Sequence, residues 1–219
     1  MKNRFKSSFN IFTLFALLAS LLGSAVFATP AYAAGIVVNS NADTIADDGT
    51  CTLREAITNA NGDSQLYTSA GECAMGAETD TITFAANHTI TLDGSQLPAV
   101  TSTIIINGNG VTNTIIQAST CDPVTLPGGC TPVEYRVFEV SSTGDLTVDK
   151  ITVRHGRCDN SCESTIPYGG AGILNIGTLT VTNSAFSSNS ASHGGGVYNT
   201  GVQTVTNSSF AGNLAKNDN

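Results

Sequence analysis

The sequence predicts an all-β protein: a right-handed single-stranded parallel β-helix (a solenoid) with one capping α-helix at its N-terminal end. Three observations predict it. They are an internal repeat of 24 residues, strict period-two alternation inside each copy, and a composition low in charge and rich in turn-forming residues. Residues 170–192 read GAGILNIGTLTVTNSAFSSNSAS and residues 194–216 read GGGVYNTGVQTVTNSSFAGNLAK, aligned without a gap. Identities include Asn175/Asn199, Gly177/Gly201, Val181/Val205, Asn183/Asn207, Phe186/Phe210 and Asn189/Asn213. A third copy, LTVDKITV at 146–153, aligns with 179–186 at an offset of 33, and its nine extra residues fall around Cys158 and Cys162.

Within each copy, Leu179 and Val181 point one way while Thr178, Thr180 and Thr182 point the other, which is the pattern of a strand with one buried face. No helical stripe at i, i+3, i+4 occurs. One copy holds too few apolar residues to bury a face alone, so it must stack on its neighbours. Stacking in register gives inward columns Val148–Val181–Val205 and Val153–Phe186–Phe210, with adjacent strands about 4.8 Å apart. Asn183 turns the chain, and Asn189 over Asn213 forms a side-chain ladder at a corner where Asn tolerates left-handed dihedrals. Parallel crossovers prefer the right hand, which sets the handedness expected. One column departs: Gln203 follows Leu179, so either the register slips there or the last coil is less well covered.

Residues 80–118 fit the same plan without a countable repeat. Three alternating strands are expected around Ile82/Phe84, Ile90/Leu92 and Ile104/Ile106, separated by turn signals at Asp93-Gly94 and Asn107-Gly108. Residues 120–132, with three prolines and Cys121 and Cys130, read as an excursion out of the coil. The one convincing helix is 51–61, CTLREAITNAN. Thr52 is placed as its N-cap and Glu55 at the third helical position completes a capping box. Leu53, Ala56, Ile57 and Ala60 then share a face that covers the first coil.

The first 33 residues read as a signal peptide. Lys2, Arg4 and Lys6 precede an apolar run from Phe12 to Phe27, and Ala31-Tyr32-Ala33 fits a cleavage site. The run is shorter than the roughly 20 residues a membrane helix needs. The chain thus divides into the signal peptide (1–33), an N-terminal cap (34–79) and β-helix coils (80–219). Export leaves it extracellular or on the cell surface, with no transmembrane span after cleavage.

Cleavage also removes three of the nine basic residues, so the net charge moves from −8 to −11, 6 Lys and Arg against 17 Asp and Glu. That balance repels phosphate backbones and excludes nucleic acid as a partner. The six cysteines fit an oxidising compartment, and proximity pairs Cys51–Cys73, Cys121–Cys130 and Cys158–Cys162. A zinc site would need two close pairs or added histidines, and only Cys158 and Cys162 lie close.

The stretch DDGTCTLREAITNAN, followed by a second cysteine and then DTITF, resembles the CSLREA domain at the N-terminus of exported parallel β-helix proteins. Thr52 stands where the family name has Ser, an exchange that preserves capping. The likeness covers residues 36 to about 110. Farther on, GGAGI with FSSN and GGGV with FAGN are similar to the GGA[IL] and FxxN repeats of polymorphic outer-membrane proteins. The resemblance implies a secreted or surface-exposed role, often adhesive. Such proteins commonly carry more coils and a C-terminal anchor or barrel, so the chain reads either as a fragment of a longer surface protein, with further coils over its last one, or as a small complete protein whose last coil a partner covers.

Candidate chemistry is sparse. Many parallel β-helices of the pectin-lyase-like type cleave acidic polysaccharides, and the local candidates here are Arg154 and His155, with Asp149 and Lys150 nearby. Asp43, Asp47 and Asp48 supply hard oxygen atoms of the kind that hold Ca²⁺, without EF-hand spacing. His88, His155 and His193 come with no nucleophile elbow. No cofactor is expected. The preferred reading is a non-catalytic adhesin whose outward Thr, Ser and Asn faces touch glycans or surface proteins, and the alternative is a polysaccharide lyase or glycoside hydrolase.

Overall fold

The computed structural model describes residues 34–159, 162 and 169–216; the signal peptide expected at 1–33 lies outside the described residues. Seventeen strands, β1 to β17 in chain order, and one α-helix are found among the described residues. They form four sheets, and every pairing between strands is parallel. The largest sheet takes β1 (Ala34–Val38), β2 (Thr79–Phe84), β4 (Thr103–Asn107), β7 (Asp145–Asp149), β11 (Thr178–Thr182) and β15 (Val202–Thr206) in that order. The second takes β3 (His88–Thr91), β5 (Thr114–Gln117), β8 (Thr152–Arg154), β12 (Ala185–Ser187) and β16 (Ser209–Ala211). Two three-stranded sheets hold β6 (Phe138–Val140), β10 (Ile173–Asn175) and β14 (Val197–Asn199), and β9 (Arg157–Cys158), β13 (Ser190–Ala191) and β17 (Leu214–Ala215). From β6 onward the chain visits the four sheets in a fixed order, upstream it alternates between the two larger sheets, and it returns to each sheet beside its previous strand.

The register follows the sequence repeat. Val181 pairs with Val205 and with Val148, while Phe186 pairs with Phe210 and with Val153. Leu179 faces Gln203 without a slip, so the polar residue marks a less covered strand. The upstream strands are also more regular than their sequence suggests. Ile82 pairs with Ile106, the same separation of 24 that relates Val181 to Val205. Composition hides this repeat because the two strands share only their apolar pattern. The sequence reading also passes over β5, and it places residues 34–79 in a cap although β1 joins the largest sheet beside β2.

Buried apolar side chains from three of the four sheets meet in one cluster, including Ile36, Ile82, Ile104, Phe138, Val148, Val181 and Phe186, while Cys158 and Ala191 of the fourth sheet form a smaller one with Cys162 and Ala171. Each contributes about 1.5–3 kcal/mol when fully buried. Two corners carry left-handed backbone in each of the three downstream repeats. Lys150, Asn183 and Asn207 have φ of 56°, 46° and 50°, and His155, Ser188 and Gly212 have φ of 60°, 51° and 63°. Asn189 was expected to be left-handed, but the positive φ lies one residue earlier, at Ser188. The reason is that the Asn189 amide is used inside the fold. It accepts from the Gly156 N–H (2.9 Å), donates to the Val153 carbonyl (3.1 Å) and donates to the Asn213 side chain (2.9 Å). The ladder exists, but its role is to satisfy interior backbone groups, which are costly when left unpaired. The repeated glycine has its own cause: a Cβ on Gly201 would lie 2.1 Å from the Gly177 carbonyl oxygen, so the two backbones touch where no side chain fits.

The helix, α1, runs Leu53–Gly62 with Thr52 as N-cap and a complete capping box through Glu55. Leu53, Ala56, Ile57 and Ala60 are buried as expected and the helix packs against β1, β2 and β4. Asp63 closes it in the left-handed conformation. All three expected disulfides are present: Cys51–Cys73 beside this helix, Cys121–Cys130 in the excursion and Cys158–Cys162. They suit an oxidising, extracellular environment. No described helix is long and apolar enough to cross a membrane.

Candidate functional site

Alternation of burial along the large sheet leaves every second side chain facing out. The register aligns these into columns. One runs Thr81–Ile105–Thr147–Thr180–Thr204, and another runs Thr79–Thr103–Asp145–Thr178–Val202. Each threonine offers a hydroxyl and a methyl group at the strand spacing of about 4.8 Å. The result is a mixed polar and apolar face that repeats from strand to strand. In the neighbouring column, Asp149 ties down Thr182 (Oγ1 to Oδ1, 3.0 Å) and Asn183 (Nδ2 to Oδ1, 2.7 Å), and pairs with Lys150. Burial alone pushes the Asp149 carboxyl up, but these hydrogen bonds and Lys150 hold it below the ordinary range.

The second sheet presents a different set. Thr91, Gln117, Arg154 and Ser187 stand in register across β3, β5, β8 and β12. The Gln117 amide donates to the Thr91 hydroxyl (2.8 Å) and accepts from Arg154 Nε (2.7 Å). Burial lowers the affinity of Arg154 for its proton, yet arginine remains charged at any ordinary pH. It is therefore a fixed cation and no base. His155 sits at the next corner, its Nδ1 2.9 Å from the Ser119 carbonyl oxygen. Burial holds this imidazole below its ordinary range, outweighing the hydrogen bond to Ser119.

Chain comparisons with protein-family models, curated proteins and solved structures return no match.

The acidic stretch near the helix is already engaged. Asp43 receives Arg54 on both oxygens, Nε to Oδ1 at 2.9 Å and Nη2 to Oδ2 at 2.7 Å, and also accepts the Asp93 N–H. Arg54 continues to the carbonyls of Ser95 and Gln96. Asp48 caps its own turn by accepting from the Thr50 N–H and hydroxyl, while Asp47 has no described partner. Among the described residues no three His, Cys, Asp or Glu side chains gather at metal-binding distance. The motif Leu53-Arg54-Glu55-Ala56 thus reads as a fastening: two buried apolar anchors, one ion pair and one cap.

Two features escaped the sequence reading. Arg136 is completely buried, with Nη1 2.8 Å from Glu139 Oε2. Asp159 gathers Arg157 (2.7 Å), Lys216 (2.6 Å) and Ser190 (2.8 Å) across three segments. Neither has a local signal beyond the i, i+3 spacing of Arg136 and Glu139.

Proposed function

We propose that the chain winds as a right-handed parallel β-helix, is exported, and acts as a non-catalytic surface protein that binds glycans or other surfaces. The observation that carries this reading is the pair of outward threonine columns on the largest sheet. Their hydroxyls accept and donate as sugar hydroxyls do, and their methyls pack on pyranose faces. A weak contact repeated on each strand gives avidity without a deep pocket. The fixed order in which the chain returns to four parallel sheets supports the helical winding, because parallel crossovers run right-handed in nearly every known sheet. The likeness to CSLREA proteins and to outer-membrane repeats supports export and adhesion, and the three disulfides support export.

The test is a glycan array probed with the secreted, oxidised protein and with the triple variant Thr147→Ala, Thr180→Ala, Thr204→Ala. Retention on one glycan class, lost at least tenfold in the triple variant, is the expected result. No retention on any glycan, or release of oligosaccharide products that stops in Arg154→Ala, overturns the reading, the second outcome in favour of a polysaccharide lyase.

A further inference from the structure

Asp80 is a fully buried acid with half of its carboxylate idle. It stands on β2, on the inward face it shares with Ile82 and Phe84. Oδ1 accepts the Ala77 N–H at 3.0 Å, while Oδ2, equally enclosed, has no hydrogen-bond partner among the described residues. The other buried acids are engaged: Glu55 accepts from the Ala46 and Thr52 N–H groups, and Asp159 holds Arg157, Lys216 and Ser190. No Lys, Arg or His among the described residues comes within ion-pair distance of Asp80. Burial, helped by the like charge of Asp63 at the C-cap of α1 and opposed by the Ala77 hydrogen bond, pushes its carboxyl above the ordinary 3.8. An acid left like this is costly to the fold. On one side its register partner is Ile104, which has nothing to offer it.

On the other side the register partner is Ala34, the first residue of β1, one strand spacing of about 4.8 Å away. Ala34 is also the residue that follows the cleavage signal Ala31-Tyr32-Ala33. Hydrolysis of the Ala33–Ala34 amide by a signal peptidase consumes one water. The Ala33 side leaves as a carboxylate, and the Ala34 nitrogen, which had a single N–H to donate, becomes an ammonium with three donors and a full positive charge. The pairing of β1 with β2 thus brings the new charge to the strand position beside the idle oxygen.

We propose that the α-ammonium freed at Ala34 by signal-peptide cleavage forms an ion pair with Asp80, so that processing completes the core at the first strand pair and the exported chain is more stable than its precursor. The proposal rests on the reading of the chain as exported. It goes beyond that reading by giving the cleavage position a structural purpose.

The test uses the secreted, oxidised protein, with its N-terminus fixed by mass spectrometry. Urea unfolding compares four chains: wild type, Asp80→Asn, a chain with Gly-Ser inserted between Ala33 and Ala34, and the double variant. The insertion keeps the cleavage signal and moves the ammonium about 7 Å away. It is expected to lower the folding equilibrium constant by about tenfold or more in the wild-type background, the equivalent of one pKa unit, and by less than about twofold in Asp80→Asn. Acylation of the α-amine as a function of pH gives its pKa, expected above the usual range of about 7.7–8.0 in the wild type and within it in the inserted chain. Because the folded value is raised, the loss caused by the insertion is full below about pH 8 and shrinks as pH rises through that folded value. Equal losses in both backgrounds, or an ordinary α-amine in the wild type, overturn the ion pair and leave export standing. A secreted chain that starts at another residue overturns it too. Retention in the cell with the leader intact overturns the export reading and the ion pair together. Should Asp80→Asn fail to fold, the acylation of the wild-type and inserted chains decides alone.

Discussion

Residues 170–192 and 194–216 share most of their key positions, yet they live in different environments. Phe186 is fully buried, while Phe210, its partner in a stacked pair with centroids 4.8 Å apart, is 45% exposed. Val181 is buried and Val205 is 42% exposed. Leu214 is 37% exposed, whereas its partner Ser190 is buried. Identical side chains on strands of identical register thus differ in burial because one repeat has neighbours on both sides and the other on one. In a stack of this kind the hydrophobic effect belongs to the interface between repeats, and a residue's own repeat supplies only half of it.

This comparison is broken most easily by charge. Val181→Lys places an ammonium among Leu146, Val148 and Phe186 with no acid to meet it, and is expected to cost more than about 4 kcal/mol, enough to prevent secretion of folded protein. Val205→Lys lets the chain reach water and is expected to stay within about 0.5 kcal/mol. The yield of oxidised protein and urea unfolding report both. Equal damage from the two variants means that Val205 is covered in solution, and the contrast fails.

Truncating the stacked rings gives the next largest difference. Phe186→Ala is expected to cost about 3–5 kcal/mol, since it opens a cavity between Val153 and Phe210. Phe210→Ala is expected to cost about 1 kcal/mol, the stacking with Phe186 and part of its burial. Two urea titrations measure the pair, and a ratio near one sinks the argument. The asparagine ladder follows at smaller scale. Asn189→Ala orphans the Gly156 N–H and the Val153 carbonyl in a buried site and is expected to cost about 2 kcal/mol. Asn213→Ala frees the Phe186 carbonyl (2.8 Å) near the open side, and about 1 kcal/mol or less is expected there.

The repeat, the inward columns, the capping box and the disulfide pairs were all legible in the sequence, because each depends on spacing along the chain. Period two fixes which side of a strand is apolar, and an offset of 24 fixes what it touches. Legibility fails where contacts are chosen by the third dimension. Asp43 reads as a free hard ligand until Arg54 is seen on both its oxygens. Arg154 reads as one cation among several until the others are found paired. Asn189 illustrates a subtler failure: the ladder was foreseen, but the left-handed residue was displaced to Ser188 because the amide points inward. The upstream repeat was missed for a related reason, since Asp80 and Ile104 occupy one register position with nothing in common but their burial.

The smallest expected effect concerns what ties the last repeat to the one two levels earlier. Lys216 reaches back to Asp159, which also holds Arg157 and Ser190. Burial by itself pushes the Asp159 carboxyl up, but Lys216, Ser190 and Arg157 hold it below its ordinary 3.8. A carboxyl whose folded value is depressed binds its proton more readily unfolded, so its stabilisation is present above about pH 3.8 and disappears as pH falls through the lower, folded value. Asp149 and Asp122 act with the same sign. Without the Ala34 ammonium, Asp80 acts with the opposite one, because burial raises it and acid relieves its cost. Asp159→Asn should therefore flatten, without abolishing, the fall in melting temperature between pH 4 and pH 2 expected of the wild type, by about 1 kcal/mol or less, since Lys216 is partly solvated. If Lys216→Ala leaves that slope unchanged while Asp159→Asn removes it, the anchoring comes from Arg157 and Ser190 alone, and the last repeat is held by its strand pairings without a charged strap.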